Sequence, residues 1–218
     1  MPKFYLKEEK LRQRHELIES LPSHELSIEF YAGQGYLTLL LYLGHFRRCV
    51  CIDKDPRALA YLLLMSPETP PKLFQMDNMV FIEKHLDRYL DFSLVDFDHY
   101  GCPNKTIMAF FDAIKGKVKH TFGLALTDGG LTSFMRGGKI NLYRHYLVGE
   151  DKTIQWGPHK RDDIAEYLAL SDNFIKTVAK RAGFDAECLS QITHHKPKHV
   201  LYAIYLVRPA TPGCAGAS

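Results

Sequence analysis

Leu94-Val95-Asp96-Phe97-Asp98-His99-Tyr100-Gly101-Cys102-Pro103 is the stretch on which the reading of this chain turns. An apolar run enters two carboxylates at i and i+2, then aromatic rings, then Gly and Pro. This pattern is that of a buried strand stopping at its C-terminal end, the rim where open α/β sheets place their ligands. Strand alternation puts Asp96 and Asp98 on one side. Amine and amide-like substrates need acceptors for their N–H groups and a flat surface to lie on. An acid beside a tyrosine supplies both.

Outward from this strand, apolar segments alternate with helical patterns. Residues 3–20 are charged and helical in pattern, with Leu6, Leu11, Leu17 and Ile18 as candidate buried positions. Leu26–Tyr31 is a strand, Ala32–Gly35 a turn, and Tyr36–Leu43 the following helix. Arg48–Ile52 is the second strand. Arg57–Met65 is a helix with Pro56 in its first turn. Leu73–Gln75 is a strand, Met79–Tyr89 a helix, Asp91–Phe97 a strand, Lys105–Ile114 a helix and His120–Leu126 a strand. After an insertion at about 132–170 come a helix, Asn173–Ala182, and two strands, Ala186–Thr193 and His199–Val207, joined by a basic turn. The expected fold is a single α/β domain over 1–208. It is Rossmann-like, with a seven-stranded, mostly parallel sheet, helices on both faces and an antiparallel C-terminal hairpin. Residues 209–218 read as a disordered tail.

Composition narrows the function classes. The chain has 218 residues, enough for one full core, with 46% hydrophobic and 24% charged residues. A net charge of +3 is too small to argue for nucleic acid by itself. No apolar run approaches the length of a membrane span, and the charged N-terminus carries no signal-peptide core. The five cysteines lack metal-type pairs, so they read as reduced thiols in a cytoplasmic protein. No metal is expected at the site.

Four features fall at successive strand ends. Glu29-Phe30-Tyr31-Ala32-Gly33-Gln34-Gly35 is a turn that exposes amide N–H groups. Asp53, with Lys54 beside it, closes the second strand where an acid can bind ribose hydroxyls. Asp77-Asn78 follows the third strand, able to accept from an adenine amino group. The fourth is the Asp96–Pro103 segment. Each acid taken alone could merely cap a helix.

This order, with its terminal hairpin, resembles the class I S-adenosylmethionine-dependent methyltransferases. An aromatic followed by Ala-Gly-x-Gly is similar to the version frequent among nucleic-acid methyltransferases, although Tyr31 stands where many members have glycine. The resemblance implies a cofactor, S-adenosyl-L-methionine, held by Glu29, Tyr31, Ala32, Gly33, Gly35, Asp53, Lys54, Asp77, Asn78 and Asp96. Gly33 and Gly35 would pass under the methionine part and Glu29 would reach its amino group. Asp53 would hold the ribose, and Asp77 and Asn78 would meet the adenine. Asp-Phe-Asp-His-Tyr-Gly-Cys-Pro is also similar to the Asp-x-Asp-Pro-Tyr-Gly-Ser-Pro segment of the tRNA guanine-N2-dimethyltransferase family, and Leu124–Gly130 resembles that family's fifth strand. His99 stands in place of proline and Cys102 in place of serine. The resemblance covers roughly residues 28–130, and that family carries in addition a large C-terminal domain for tRNA.

The resemblance implies N-methylation of an exocyclic amine, with RNA expected before DNA. Asp98 and the His99 carbonyl would orient the amine, and Tyr100 would stack on the base. Arg136, Lys139, Tyr143 and Arg144 of the insertion would meet the substrate, cations on phosphates and tyrosines on bases. Cys102 as a nucleophile is disfavoured, because no basic neighbour in the motif lowers its pKa. Two other readings stand: a methyltransferase acting on DNA, protein or a small molecule, and a methyltransferase-like binding protein that does no chemistry. Oligomeric state is not readable.

Overall fold

The computed structural model describes residues 8–66, 68, 70–99, 101–135, 164–194 and 199–211. Tyr100, Arg136, Lys139, Tyr143 and Arg144 lie outside the described residues, as does nearly all of the C-terminal tail. Seven strands form one sheet in the order β3-β2-β1-β4-β5-β7-β6. They are β1 (Leu26–Phe30), β2 (Arg48–Asp53), β3 (Lys72–Gln75), β4 (Leu94–His99), β5 (Phe122–Asp128), β6 (Phe184–His194) and β7 (Val200–Pro209). β1 to β5 pair in parallel. β7 runs antiparallel between β5 and β6, so the expected fold class is the observed one. The Rossmann-like reversal of strand order falls between β1 and β4, the kind of place where open α/β sheets bind their ligands.

The helices are α1 (Glu8–Glu19), α2 (Leu43–His45), α3 (Pro56–Met65), α4 (Asn78–Lys84), α5 (Asn104–Ile114), α6 (Gly130–Met135) and α7 (Ile164–Arg181). Asp55 caps α3 by accepting from the Arg57 N–H at 2.9 Å, and Pro56 follows as expected. Several expected bounds shift. The helix expected at Met79–Tyr89 divides, because His85 leaves helical geometry at φ −128° and Leu86–Arg88 continues as a 3-10 turn. The strand expected at Asp91–Phe97 begins at Leu94 and runs on through Asp98 and His99. The last helix starts at Ile164, nine residues before the expected Asn173, because Tyr167, Ser171 and Phe174 carry its buried stripe back to that point.

Strand alternation divides the core. Val95 and Phe97 face one side, in the cluster that includes Phe30, Phe81, Phe110 and Phe122. Phe30 and Phe97 stack at 4.9 Å there. Leu94 faces the other side, with Leu17, Ile18, Leu37, Leu41 and Tyr42. That second layer is α1 together with the π-helical turn Thr38–Tyr42 that leads into α2. A plain helix was expected there. π-Turns concentrate at functional sites, and this one carries two side chains, Thr38 and Tyr42, onto acids of the rim.

Candidate active site at the C-terminal rim of the sheet

Glu29, Asp53, Asp96 and Asp98 lie on the adjoining strands β1, β2 and β4. Register places Glu29 of β1 opposite Asp96 of β4 and opposite Cys51 of β2. Asp98 pairs with Thr127 of β5. Asp53 ends β2, and its carboxylate accepts from the Gly33 N–H and the Asp55 N–H, both at 2.8 Å. One half-buried acid thus fixes the glycine turn after β1 to the end of β2. Gly33 and Gly35 have φ of +53° and +68°, which suits glycine. Ala32, buried, packs beside Cys51, Leu59 and Leu62 beneath that turn.

Tyr31 also has positive φ, +59°, the one non-glycine residue so placed among those described. Its ring stacks on His99 with centroids 4.0 Å apart and planes at 20°, and its hydroxyl shares a hydrogen bond with Thr106 at 2.5 Å. These contacts offset a left-handed backbone that costs a bulky side chain about 1 kcal/mol or more. Burial, reinforced by the nearby Lys54 charge, holds the His99 imidazole below its ordinary pKa despite the Cys102 backbone and the Asp128 and Asp98 carboxylates. Among the described residues, the Tyr31–His99 pair is a flat surface at this rim. Asp77 is exposed and caps α4, its Oδ1 accepting from the Met79 N–H at 2.8 Å, with Asn78 buried next to it. Burial pushes the Cys102 thiol up to about 12, which disfavours the thiolate that a nucleophile needs.

Asp96 and Asp98 have partners that sequence reasoning missed. Arg14 of α1 donates from Nε to Asp96 Oδ2 at 3.1 Å and from Nη2 to Oδ1 at 3.2 Å. Its Nη2 also donates to Thr127 Oγ1. Tyr42 donates to Asp96 Oδ2 at 2.5 Å. Both partners of the Arg14–Asp96 pair are fully buried. Asp98 Oδ1 lies 2.5 Å from Lys10 Nζ, and its side chain keeps 15% exposure. Both cations lie near the Tyr202 ring of β7, at 5.8 and 5.9 Å. Helical period alone does not reveal this, because charged side chains at helical spacing read as a solvated face. Lys10, Arg14 and Leu17 stand at i, i+4 and i+7, one stripe on the buried face.

The electrostatics follow from this packing. Burial disfavours the charged form of Asp98, but Lys10 and then Arg14 outweigh it, and its pKa falls below the ordinary value. Burial also opposes the Arg14 charge, and the Asp96 carboxylate more than restores it. Among the described residues, no cation forms an ion pair with Glu29. Burial, with Asp98 and Asp96 nearby, drives its pKa well up, although Thr38 donates to Oε2 at 2.5 Å. Glu29 Oε1 is buried with no hydrogen-bond partner among the described residues.

Solved methyltransferase structures share this fold. An rRNA methylase from Streptococcus thermophilus superposes with a TM-score of 0.51 at 14% identity, over 95% of this chain and 100% of its own. The N-methyltransferase NodS from Bradyrhizobium japonicum gives 0.52 at 10% identity, over 92% and 95%. TYW2 from P. horikoshii, in complex with MeSAdo, gives 0.50 at 15% identity, over 94% of this chain and 65% of that protein. The chain has the class I methyltransferase fold. No protein-family model matches it, and no curated protein sequence does.

Proposed function

We propose that this chain binds S-adenosyl-L-methionine and transfers its methyl group to an exocyclic amine, with RNA as the preferred substrate class. One observation carries the reading: Asp53 grips the Gly33 amide from the end of β2, beside a turn with two positive-φ glycines. That arrangement leaves a backbone-lined floor next to a half-buried carboxylate, suited to a nucleoside with a charged tail. The residues fit such a ligand in a second respect. Glu29 Oε1 is buried without a partner among the described residues, and an arriving ammonium would both pair with it and favour the ionised carboxylate. Tyr31, Ala32, Gly35, Lys54, Asp77 and Asn78 would complete the cradle. When bound, the cofactor supplies an electrophilic methyl on a sulfonium.

The chain's own part is alignment and exclusion of water. A carboxylate offers about four acceptor positions, and at Asp98 Lys10 and Thr127 each engage it. The remaining capacity would orient an amine N–H. Asp96, enclosed by Arg14 and Tyr42, would act by holding the end of β4 in place. The RNA preference rests on the resemblance of the 96–103 segment. It rests also on the cationic and aromatic residues Arg136, Lys139, Tyr143 and Arg144, which follow the strand next to β4 in sequence.

The Lys10–Asp98 contact favours a second reading, a methyltransferase fold that binds without catalysis, because the ammonium occupies the acceptor that the reaction needs. Two measurements separate the readings. Calorimetry with S-adenosylmethionine should give binding that weakens about 10- to 100-fold in Asp53→Ala, the loss of one or two charge-assisted hydrogen bonds. A labelled-methyl assay on total RNA, DNA and protein should label RNA, and Asp98→Ala should bind cofactor normally yet transfer orders of magnitude more slowly. Binding without transfer to any of the three would support the second reading.

A further inference from the structure

We propose a transition-metal site away from the rim, formed by His15 and Glu19 of α1 and His45 at the end of α2. One ligand atom from each side chain, all open to solvent, lies within 4.8 Å of the other two. His15 Nε2 and Glu19 Oε1 are 3.9 Å apart, an i,i+4 pair on one helix face. In a tetrahedral zinc site with bonds of about 2.0–2.2 Å, donor atoms sit about 3.4 Å apart. Small χ rotations of exposed side chains close the difference.

The orientation of His45 is a second, independent observation. Its Nδ1 lies 2.8 Å from the Leu41 carbonyl. A carbonyl only accepts, so Nδ1 carries the proton and Nε2 carries the lone pair. Backbone-anchored Nδ1–H is the outer-sphere arrangement that readies a histidine for metal. The His15 and His45 rings stand nearly perpendicular, at 87°, with centroids 5.5 Å apart, close enough for one nitrogen of each to reach a common ion. Two imidazoles and one carboxylate suit zinc, nickel or copper over magnesium or calcium, which prefer all-oxygen sets. A fourth position would remain for water or for a ligand from a partner.

The site joins two elements that both touch the rim. α1 carries Lys10 and Arg14, and the π-turn before α2 carries Thr38 and Tyr42. A bound ion would clip α1 to the layer beneath it, against the apolar contact of Leu17 and Ile18 with Leu41 and Tyr42. This inference does not depend on methyl transfer.

The test uses the full chain and added ZnCl2, with CoCl2 as spectroscopic probe. Zinc should raise the melting temperature and slow amide exchange over residues 8–19, and cobalt should give a visible ligand-field band. Magnesium and calcium should do neither. The His15→Ala/His45→Ala variant, altered at surface positions that leave the core intact, should lose both responses, and Glu19→Gln should weaken them. Absence of a zinc response in the unaltered chain, or an equal response in the double variant, would overturn the proposal.

Discussion

Lys10 and Asp98 are joined by an ion pair of 2.5 Å that spans 88 positions of sequence. Its neighbour, Arg14 with Asp96, has matching spacing. Two residues of strand advance about 6.6 Å, and four residues of helix about 6 Å. A helix running antiparallel to β4 can therefore set one cation on each of the two acids. Lys10→Met would strand a largely buried carboxylate, a change that costs about 3–5 kcal/mol when burial is complete. Because Asp98 keeps 15% exposure, the lower end of that range is expected in urea denaturation. The unaltered chain gains stability from the depressed Asp98 pKa above the ordinary carboxylate range and loses it as pH falls through the folded value. Lys10→Met should flatten that acid limb.

Arg14 and Asp96 should behave as a unit. Arg14→Met leaves a buried Asp96 carboxyl without its guanidinium, holding only Tyr42 among the described residues, and about 3–5 kcal/mol should be lost. Asp96→Asn alone leaves the guanidinium unpaired. Combined, the two changes remove both charges while the asparagine oxygen still accepts from Tyr42. The double variant should be more stable than the sum of the single losses by about 1–3 kcal/mol. Strict additivity of urea midpoints would mean that the two charges are solvated independently.

What was legible in the sequence follows from its physics. Strands buried on both faces, such as Phe122–Asp128, read as apolar runs bounded by turn residues, so the sheet and its acidic rim could be placed. The polar stripe of α1 could not. Lys10, Gln13 and Arg14 look like a solvated helix face until the acids they meet are known, and no local rule sends a charge inward. The π-turn was equally hidden, because Thr38–Tyr42 has an ordinary helical composition. Asp77 was visible in both of its roles, as a helix cap and as a rim acid, and geometry establishes the cap.

The two glycines of the turn after β1 should respond differently to substitution. At Gly33 a new Cβ would meet nothing closer than the Tyr31 carbonyl at 3.9 Å, so Gly33→Ala carries only the backbone penalty of about 1 kcal/mol. At Gly35 the Cβ would fall 2.6 Å from both Cδ atoms of Leu62. Leu62 is fully buried against Ala32, Cys51 and Leu59 and has little room to yield. Gly35→Ala should cost the backbone penalty plus about 1–3 kcal/mol of overpacking. Thermal unfolding of the two variants side by side checks the order.

Glu29 should make the protein less stable as pH rises. Burial comes first among the causes that raise its pKa, followed by the Asp98 and Asp96 charges, with Thr38 and Lys10 opposing. The folded chain therefore holds a proton on Glu29 at pH values where the unfolded chain has released it. Between the unfolded pKa and the raised folded one, the native state binds more protons, so stability declines with increasing pH across that window. Glu29→Gln keeps the shape and the acceptor for Thr38 and removes the ionisation. Urea midpoints taken at about pH 5 and pH 8 should fall further for the unaltered chain than for the variant. If the two chains change in parallel, Glu29 is charged in the folded state, and Lys10 serves as counter-ion to Glu29 as well as Asp98.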